Sequence, residues 1–428
     1  MNPPIPRRTF LRRVSSATAV SAFAAPALLR SADSPGEKVV LGVMGVNGRG
    51  MQLAQGFNSG GGAEIAYLCD VDERAMARAV KSVSDKQARV PQGVKDFRRI
   101  LDDKNVDALV IAAPDHWHAP ATILACAAGK HVYCEKPACH NPREGEWMVA
   151  AARKHQRIVQ LGTQRRSYPA VIEAIEKLKS GAVGRVLFSR GWYNNTRASI
   201  GHGKAAPAPD WLDYELWQGP APERPFQDNL VHYNWHWFWH WGTGELGNNG
   251  IHALDVCRWG LGVDYPMRVT SGGGKYRFDD DQETPDTQTV TFDFGDKSIT
   301  WEGRSWHPRG FEGSAFGIAF YGEKGTMVID GANYKVFDFK GAEIDKGGGP
   351  GGDARHYQNF LECIRSGKKP SADIEEGHKS TLLCHLGNIA WRTGRTLHCD
   401  PKNGRILDDA KAMALWGREY RKGWEPKV

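Results

Sequence analysis

The sequence predicts an α/β chain of two domains: an N-terminal doubly wound parallel sheet, then an α+β domain with a mostly antiparallel sheet. Three observations predict this arrangement. A glycine-rich turn follows a short apolar run near residue 45. Strand-like and helix-like segments then alternate to about residue 160, which is typical of a parallel sheet covered by helices on both faces. Beyond that point, strands joined by tight turns replace the alternation.

The glycine-rich turn joins a strand predicted at 39–44 to a helix predicted at 48–59. Its sequence resembles the Gly-x-Gly-x-x-Gly fingerprint that holds a dinucleotide pyrophosphate, with Asn47 in place of the second glycine. Asparagine adopts a positive φ at lower cost than other side chains, so we expect Asn47 to stand in for that glycine. The residues expected to bind the cofactor here are Gly45, Asn47, Gly48, Arg49 and Gly50.

Asp70 ends the second predicted strand, at 64–69, and lies 20 residues after Gly50. An acidic residue at this position hydrogen-bonds the adenosine ribose and repels a 2′-phosphate. The sequence therefore predicts a Rossmann domain at 38–160 that binds NAD in preference to NADP.

The rest of this half supplies three more strands and polar residues at their ends. The strands are predicted at 106–112, 131–134 and 158–161, and the helices at 73–88, 95–103, 119–128 and 142–155. The last helix begins with Asn141 as N-cap and Pro142 in its first turn. Ligands bind at the carboxyl ends of such strands. Further cofactor contacts are therefore expected at Pro114, His116, His118, Glu135 and Lys136.

The second half begins with a helix at 168–180 and a strand at 186–193, followed by a Pro-, Gly- and Trp-rich stretch to about 245. Strands are predicted at 287–294, 298–302, 317–321, 326–330 and 334–339, and helices at 354–366 and 375–393. These elements predict a domain for substrate binding and oligomerisation at 161–395. Residues 396–428 are then left as a C-terminal tail.

Residues 1–32 form a basic segment with an apolar stretch. Arg7 and Arg8 precede the weakly apolar run 14–29, which resembles a twin-arginine export signal and predicts a periplasmic protein. A basic tail is the alternative, and the run is too short and too weakly apolar for a membrane span. Without the segment's five arginines the formal charge of +7 falls to about +2, which gives no argument for nucleic-acid or membrane partners.

The eight cysteines show no metal-ligand spacing and are expected to be packing residues.

Several motifs together carry a family resemblance. Glu135-Lys136-Pro137, the glycine fingerprint and the phrases 162–166, 216–220 and 247–252 resemble the Gfo/Idh/MocA oxidoreductases over nearly all of residues 38–395. The resemblance implies NAD as cofactor, a small-molecule carbohydrate substrate and a homo-oligomer that pairs through the open face of the second sheet.

The resemblance also implies catalytic roles. The lysine that matches Lys136 hydrogen-bonds the reacting hydroxyl, and a cation there stabilises developing alkoxide charge. His252 matches the family's proton acceptor, and its ordinary pKa suits that role. The family's dehydrogenases commonly carry an aspartate where Asn248 stands, four residues before the histidine. Asp255, three residues after His252 on the same helix face, is expected to orient it instead.

The run from His232 to Trp241 contains nine aromatic or histidine side chains in ten positions. Two interpretations stay open: rings that stack on a sugar, or rings that pack a domain interface or dimer contact. We predict substrate binding by Trp237, together with Arg165, Tyr193 and Asn249. The spacing of His232, His236 and His240 would suit a metal only on a helix, which the crowded aromatic side chains argue against, so no metal is expected.

The leading hypothesis is an exported NAD-linked oxidoreductase acting on a sugar, sugar alcohol or glycoside. The alternative is a redox-neutral glycosidase similar to glycoside hydrolase family 109, in which a transient oxidation allows elimination of the aglycone. A binding protein with a vestigial Rossmann fold is disfavoured because Lys136 and His252 are both present. Because the periplasm offers little free NAD, the cofactor is expected to stay bound through each turnover.

Overall fold

The computed structural model describes residues 38–428, so the predicted export signal at 1–32 lies outside the described residues. The N-terminal sheet has six parallel strands in the order β3-β2-β1-β4-β5-β6. The strands are β1 (Val39–Met44), β2 (Ala63–Cys69), β3 (Gln92–Val94), β4 (Ala108–Ile111), β5 (His131–Cys134) and β6 (Val159–Leu161). The covering helices are α1 (Arg49–Ser59), α2 (Glu73–Ser84), α3 (Arg98–Asp102), α4 (Asp115–Ala127) and α5 (Pro142–Lys154). The predicted doubly wound sheet is confirmed.

Both faces of this sheet are buried, which explains its continuous apolar strands. On one face Leu41 and Val43 pack with Leu53 and Phe57 of α1. On the other face, Met44 belongs to a cluster with residues of α3 and α4. The strand order reverses between β1 and β4, and a crevice forms there at the carboxyl ends of the strands.

The second sheet has nine strands in the order β14-β13-β12-β11-β7-β10-β9-β8-β15. Among the described strands of this sheet, β7 and β10 form the one parallel pair. The strands are β7 (Val186–Asn194), β8 (Arg268–Gly274), β9 (Thr287–Asp293), β10 (Ser298–Arg304), β11 (Phe316–Gly322), β12 (Gly325–Asp330), β13 (Asn333–Asp338), β14 (Glu343–Gly348) and β15 (Leu397–His398). The helices of this half are α6 (Pro169–Lys179), α7 (Tyr214–Gln218), α8 (Ile251–Leu261), α9 (Ala354–Ser366), α10 (Ile374–Thr393) and α11 (Ala410–Met413). The predicted α+β architecture is confirmed.

Helix α8 lies directly on the second sheet. A Cβ atom at Gly191 of β7 would come within 2.7 Å of the Cβ of Ala253, so only glycine allows the helix this close. Helix α10 packs against α8 and against β8 of the same sheet. These contacts fix the first turn of α8, which carries His252.

Residues 396–428, predicted as a tail, are part of the fold. Leu397 of β15 pairs with Val269 of β8, and Trp416 is fully buried in the core of the second sheet. Trp424 packs edge-on against Trp117 with ring centroids 5.2 Å apart. The prediction was wrong because apolar residues in this segment are too sparse to show a strand or helix period.

All eight cysteines are buried and free, as expected of packing residues. Over residues 38–428 the structure contains no helix with the length and apolar character that a membrane crossing requires.

Candidate active site

A cavity of about 470 Å³ opens at the carboxyl ends of the parallel strands. The glycine-rich turn and Asp70 line it. Lys136, Asn248 and His252 line it as well. The cavity therefore places the predicted dinucleotide-binding turn and the predicted catalytic residues in one site.

The glycine turn leaves no room for side chains at two positions. Gly45 has φ +82°, and a Cβ there would come within 2.6 Å of the Ala112 carbonyl oxygen. A Cβ at Gly50 would come within 1.8 Å of the Gly45 carbonyl oxygen. No side chain caps α1, so the amide groups of its first turn can bind an anion. This cradle fits a dinucleotide pyrophosphate.

Asn47 does not take the positive φ that was predicted for it. Gly45 supplies the left-handed residue of the turn, so Asn47 needs no unusual backbone conformation. Its side chain accepts a hydrogen bond from Arg78 Nη2 at 2.9 Å. Asn47 and Gly48 nevertheless line the cavity.

Asp70 ties the end of β2 to the glycine turn. Its Oδ2 accepts from the amide of Val46 at 2.7 Å, and its Oδ1 accepts from the amide of Asp72 at 2.9 Å. Burial raises the pKa of Asp70, and the two amide hydrogen bonds oppose this shift. Each carboxylate oxygen keeps a second lone pair, so Asp70 can also accept a ribose hydroxyl from the cavity.

Arg49, the first residue of α1, has one unused donor in the cavity wall. Its Nε donates to Glu135 Oε1 at 2.8 Å, and its Nη1 pairs with Asp353 Oδ2 at 2.7 Å. Its Nη2 is buried and has no hydrogen-bond partner within the described chain. A guanidinium with a spare donor beside a helix N-terminus fits a phosphate group. The residues present therefore fit the predicted cofactor.

His118 lines the cavity between two carbonyl groups. Its Nδ1 lies 2.6 Å from the Pro137 oxygen, and its Nε2 lies 2.8 Å from the Ala113 oxygen. Because carbonyls only accept, both nitrogens carry hydrogen and the ring is an imidazolium. Burial opposes this charge, but Cys134, Asp115 and the Pro137 carbonyl raise the pKa of His118 to about 10. His118 thus joins the turn after β4 to the Glu135–Pro137 loop.

Pro114 lines the cavity as predicted, whereas His116 lies outside its lining. His116 Nε2 donates to the Trp217 carbonyl at 3.0 Å, and burial lowers its pKa well below the ordinary value. The predicted cofactor contact of His116 therefore stays a prediction. His116 supports Trp217, which lines the cavity.

Lys136 is held by Asn248. Its Nζ donates to the Asn248 backbone oxygen at 2.8 Å and to Asn248 Oδ1 at 3.0 Å. An ammonium group has three donors, so one hydrogen remains for a ligand in the cavity. Burial lowers the pKa of Lys136, while Glu135 and Asp115 oppose the shift. The group is therefore a fixed donor with one free position.

His252 lies in the first turn of α8 and lines the same cavity. Its Nδ1 is buried without a hydrogen-bond partner among residues 38–428. Burial lowers the pKa of His252 well below the ordinary value, and Lys136, Arg165 and Arg49 lower it further. His252 is therefore a neutral imidazole that can accept a proton.

The expectation that Asp255 orients His252 is wrong. Asp255 lies outside the cavity lining and accepts from Arg166 Nε and Nη2, each at 2.9 Å. Ser380 Oγ also donates to it at 2.7 Å. Asp255 is thus half of a buried ion pair behind the site. Asn248, from a π-helical turn at Leu246–Gly250, lines the cavity but binds Lys136 rather than His252.

The four predicted substrate-binding residues also lie outside the cavity lining. Each one has another partner in the described chain, and its role in substrate binding stays a prediction. Arg165 Nη1 donates to the Gly331 carbonyl at 3.0 Å, and Tyr193 Oη accepts from Asn195 Nδ2 at 2.7 Å. Trp237 is buried beneath the Arg197 guanidinium, and Asn249 donates to Glu245.

The aromatic run at 232–241 has two parts, one that lines the cavity and one that packs inside the protein. Its first half lines the cavity through His232, Tyr233, Trp235 and His236. In its second half, Phe238 and Trp241 are buried in a cluster around Trp217. The pattern marked this run as unusual, but it could not show which side chains face the cavity. Gln164 and Leu216 are further lining residues that the sequence did not indicate.

The three histidines of the run have three different partners. His232 Nε2 lies 3.1 Å from Asp72 Oδ2, His236 Nδ1 donates to the Tyr233 carbonyl, and His240 Nε2 donates to the Pro222 carbonyl. Within the part of the chain that the structure describes, no group of three His, Cys, Asp or Glu side chains could hold a metal ion.

Comparison with solved structures shows the same fold in sugar-processing enzymes. Aldose-aldose oxidoreductase from Caulobacter crescentus matches with a TM-score of 0.67 and 21% identity, over 85% of this chain and 100% of that chain. Levoglucosan dehydrogenase in complex with NADH and levoglucosan matches with a TM-score of 0.66 and 18% identity, over 85% of this chain and 99% of that chain.

Curated relatives match over shorter stretches. Levoglucosan dehydrogenase of Pseudarthrobacter phenanthrenivorans is 30% identical over 39% of this chain and 36% of that protein. A glycosyl hydrolase family 109 protein of Saccharopolyspora erythraea is 31% identical over 41% of this chain and 39% of that protein. Inositol 2-dehydrogenase of Salmonella typhimurium is 28% identical over 36% of this chain and 45% of that protein. The chain spans less than half the length of these relatives.

Two family models cover most of the chain. The oxidoreductase family's NAD-binding Rossmann fold matches residues 39–163, and its C-terminal alpha/beta domain matches residues 191–426. The glycine cradle, Asp70 and the spare donor of Arg49 agree with the cofactor that the first model specifies. The chain therefore belongs to the Gfo/Idh/MocA family of oxidoreductases, and its cofactor is NAD.

Proposed function

We propose that the protein oxidises a hydroxyl group of a sugar, sugar alcohol or glycoside, with hydride transfer to a tightly held NAD. One observation carries the proposal: Lys136 keeps one free donor in the cavity that also holds the neutral imidazole of His252 and the glycine cradle. A fixed cation and a neutral base beside a dinucleotide site are the groups that alcohol oxidation needs.

Lys136 and His252 act on different atoms of the reacting hydroxyl group, the first on its oxygen and the second on its proton. When bound, NAD supplies the hydride acceptor. The free hydrogen of Lys136 Nζ binds the reacting hydroxyl oxygen and stabilises its developing negative charge. His252 takes the hydroxyl proton because its imidazole is neutral and has no hydrogen-bond partner of its own at Nδ1. Asn248 holds Lys136 through two oxygens but, unlike an aspartate, cannot take up the proton.

A carbohydrate substrate is supported by the cavity wall and by the relatives. Tyr233, Trp235, His232 and His236 offer ring faces for sugar C–H groups and polar atoms for hydroxyls. Two curated relatives are named for levoglucosan and inositol, both polyhydroxylated rings.

The second candidate is a redox-neutral glycosidase. Asn248 in place of the usual aspartate favours it, as do the relatives named glycosyl hydrolase family 109. A captive cofactor would have to be restored in each turnover, by the same substrate or by a second one. The name of the neighbour aldose-aldose oxidoreductase fits restoration by a second sugar.

One experiment separates the two candidates. Purified protein is incubated with p-nitrophenyl glycosides, levoglucosan and myo-inositol without added NAD. NADH absorbance that rises without release of p-nitrophenol supports the oxidoreductase. Release of p-nitrophenol without accumulation of NADH supports the glycosidase and contradicts a simple dehydrogenase.

We further propose that Asp70 makes the enzyme prefer NAD to NADP. Its carboxylate would repel the 2′-phosphate of NADP at the ribose. Asp70→Ala is expected to reduce the ratio of the NADP dissociation constant to that of NAD. A wild type that already prefers NADP would contradict this role.

Export to the periplasm and homo-oligomerisation are proposals that rest on residues 1–32 and on the family resemblance. Replacing Arg7 and Arg8 by lysine should keep the protein in the cytoplasm on cell fractionation, and normal export of this variant would contradict the twin-arginine route. Light scattering should give a mass of at least two chains, where the mass of one chain is 47.4 kDa minus the mass of the signal segment. A monomer would contradict the oligomer.

A further inference from the structure

Tyr233 has a strained backbone in the cavity wall. Its φ is +87° and its ψ is −45°, a region that a bulky L-residue rarely adopts. Such outliers in a cavity wall are commonly held by the surrounding structure for a functional reason. The proposed hydride transfer through Lys136 and His252 gives this residue no role.

The conformation of Tyr233 fixes the tautomer of His236. The Tyr233 carbonyl accepts a hydrogen bond from His236 Nδ1 at 2.6 Å. A carbonyl cannot donate, so the hydrogen lies on Nδ1 and Nε2 keeps a lone pair. Among residues 38–428, no group hydrogen-bonds this Nε2. The ring also stacks on Trp235, with centroids 3.6 Å apart. His236 is therefore an oriented imidazole with a free acceptor in the cavity wall.

The charge state of His236 agrees with this geometry. Burial lowers the pKa of His236 to about 3, the Tyr233 carbonyl opposes the shift, and Lys136, Arg197 and His118 lower it further. The ring is thus neutral at neutral pH.

The hydroxyl of Tyr233 links His236 to the Lys136 side of the cavity. Tyr233 Oη accepts from Arg197 Nη1 at 3.0 Å and lies 3.5 Å from Asn248 Nδ2. Arg197 is fixed by Glu245, with Nε and Oε2 2.6 Å apart. Asn248 in turn accepts from Lys136. One network of hydrogen bonds therefore positions the lysine and the strained tyrosine that holds His236.

We propose that His236 is a second catalytic base of this site, and that it removes a proton from the carbon next to the carbonyl that the oxidation creates. The inference rests on the proposed function, because only an oxidised substrate has such an acidic C–H bond. Oxidation of an alcohol needs one base, which His252 supplies. A second neutral imidazole in the same cavity is needed when a C–H bond must also break.

The step is balanced without any added reagent. The C–H bond beside the carbonyl breaks, and its proton passes to His236 Nε2. The electron pair of that bond forms the carbon–carbon double bond of an enolate, whose oxygen accepts from the free hydrogen of Lys136 Nζ. Return of a proton from His236 to the same carbon restores the ketone, and no electrons enter or leave the site.

The test follows solvent deuterium into the sugar. Purified protein with its bound NAD is incubated in D₂O with levoglucosan, myo-inositol or methyl β-D-glucopyranoside, and the recovered sugar is analysed by NMR. NADH absorbance is followed in parallel to measure hydride transfer. We expect deuterium at the carbon beside the oxidised one. The oxidised carbon itself should keep its hydrogen, because its hydride returns from the cofactor.

His236→Gln is the variant that tests the assignment, and His240→Gln is its matched control. We expect His236→Gln to lower the rate of deuterium incorporation by at least about 10²-fold, and hydride transfer by less than about tenfold. His240 lies four positions later, and its Nε2 donates to the Pro222 carbonyl outside the cavity. Its replacement should change neither rate.

The two hypotheses fail in different ways. Hydride transfer without deuterium incorporation in the wild type, or equal incorporation in His236→Gln, would overturn the second base and leave the oxidoreductase intact. Absence of hydride transfer with all three sugars would overturn the proposed function, and this inference with it.

Discussion

Replacing Lys136 by methionine should abolish most of the activity without unfolding the protein. Methionine keeps much of the apolar stem but removes the donor that would bind the substrate oxygen. Loss of one preorganised donor to a developing oxyanion lowers kcat by about 10²–10³, or about 2.7–4 kcal/mol. Lys136 Nζ has one free hydrogen and is buried in the cavity wall, so we expect the upper part of this range.

The same substitution should lower the free energy of unfolding by no more than the loss of a comparable buried lysine, because the two Asn248 oxygens lose their donor. Burial disfavours the charge of Lys136, as its lowered pKa shows, so removing the ammonium group also removes a desolvation cost. Lys130 is the matched control: its Nζ donates to the carbonyls of Asp103 and Val106 at 2.6 and 2.9 Å, away from the cavity. Lys130→Met should lower Tm, because two buried carbonyls lose their donor, while kcat remains unchanged.

The assay is reduction of bound NAD by the best sugar substrate, measured by NADH absorbance, with retained NAD quantified by mass spectrometry. For Lys136→Met we expect wild-type NAD content and a loss of at least about 10²-fold in rate. A rate within about threefold of wild type would contradict the catalytic role of Lys136, because its free donor would then contribute little to the barrier.

Three further predictions test the cofactor cradle, the corrected role of Asp255 and the buried histidines. Gly50→Ala should abolish NAD retention, because its Cβ would lie 1.8 Å from the Gly45 carbonyl oxygen; Gly60→Ala, whose Cβ would have no neighbour within 3.8 Å, should retain NAD in the same measurement. Asp255→Ala should lower the free energy of unfolding by about 3–5 kcal/mol in urea denaturation, because the buried Arg166 loses its two hydrogen-bonded contacts and keeps only Glu376 at 3.6 Å; a change below about 1 kcal/mol would contradict the ion pair's structural role. Burial lowers the pKa of His356 to about 4 and that of His385 to about 3. Between these values and the ordinary histidine pKa of 6.5, the two rings bind protons in the unfolded chain but not in the folded chain. Their contribution to stability is present above pH 6.5 and is lost as the pH falls toward 4 to 3, so Tm should fall over this range and fall less in His385→Gln; an equal fall in that variant would contradict the assignment.

The sequence predicted those strands and site residues that apolar periodicity and local chemistry determine. The apolar runs that became β1, β2, β4 and β5 are buried on both faces, so their composition alone marked them as parallel strands. Gly45, Gly50, Lys136 and His252 follow directly from strand ends or from a helix start. Their positions in the cavity needed no knowledge of distant contacts.

The predictions were wrong or incomplete where contacts between residues far apart in the sequence determine the position of a side chain. Strand β3 is short and mostly exposed, so its sequence has no apolar pattern. Asp255 has the right helical spacing to reach His252, but Arg166, from a segment far along the chain, binds its carboxylate. Tyr233 and His236 lie in a Pro- and Trp-rich loop without period, and only the folded path shows that they face Lys136 across one cavity.

We propose above all that this site reduces a captive NAD with a carbohydrate hydroxyl. Mass spectrometry of the small molecules released on denaturing the purified protein tests it most directly, before and after incubation with levoglucosan, myo-inositol and methyl β-D-glucopyranoside. We expect about one NAD per chain without added cofactor, and recovery of part of it as NADH after the sugar is supplied. Protein that releases no nicotinamide cofactor, or NAD that no sugar reduces, would contradict the claim.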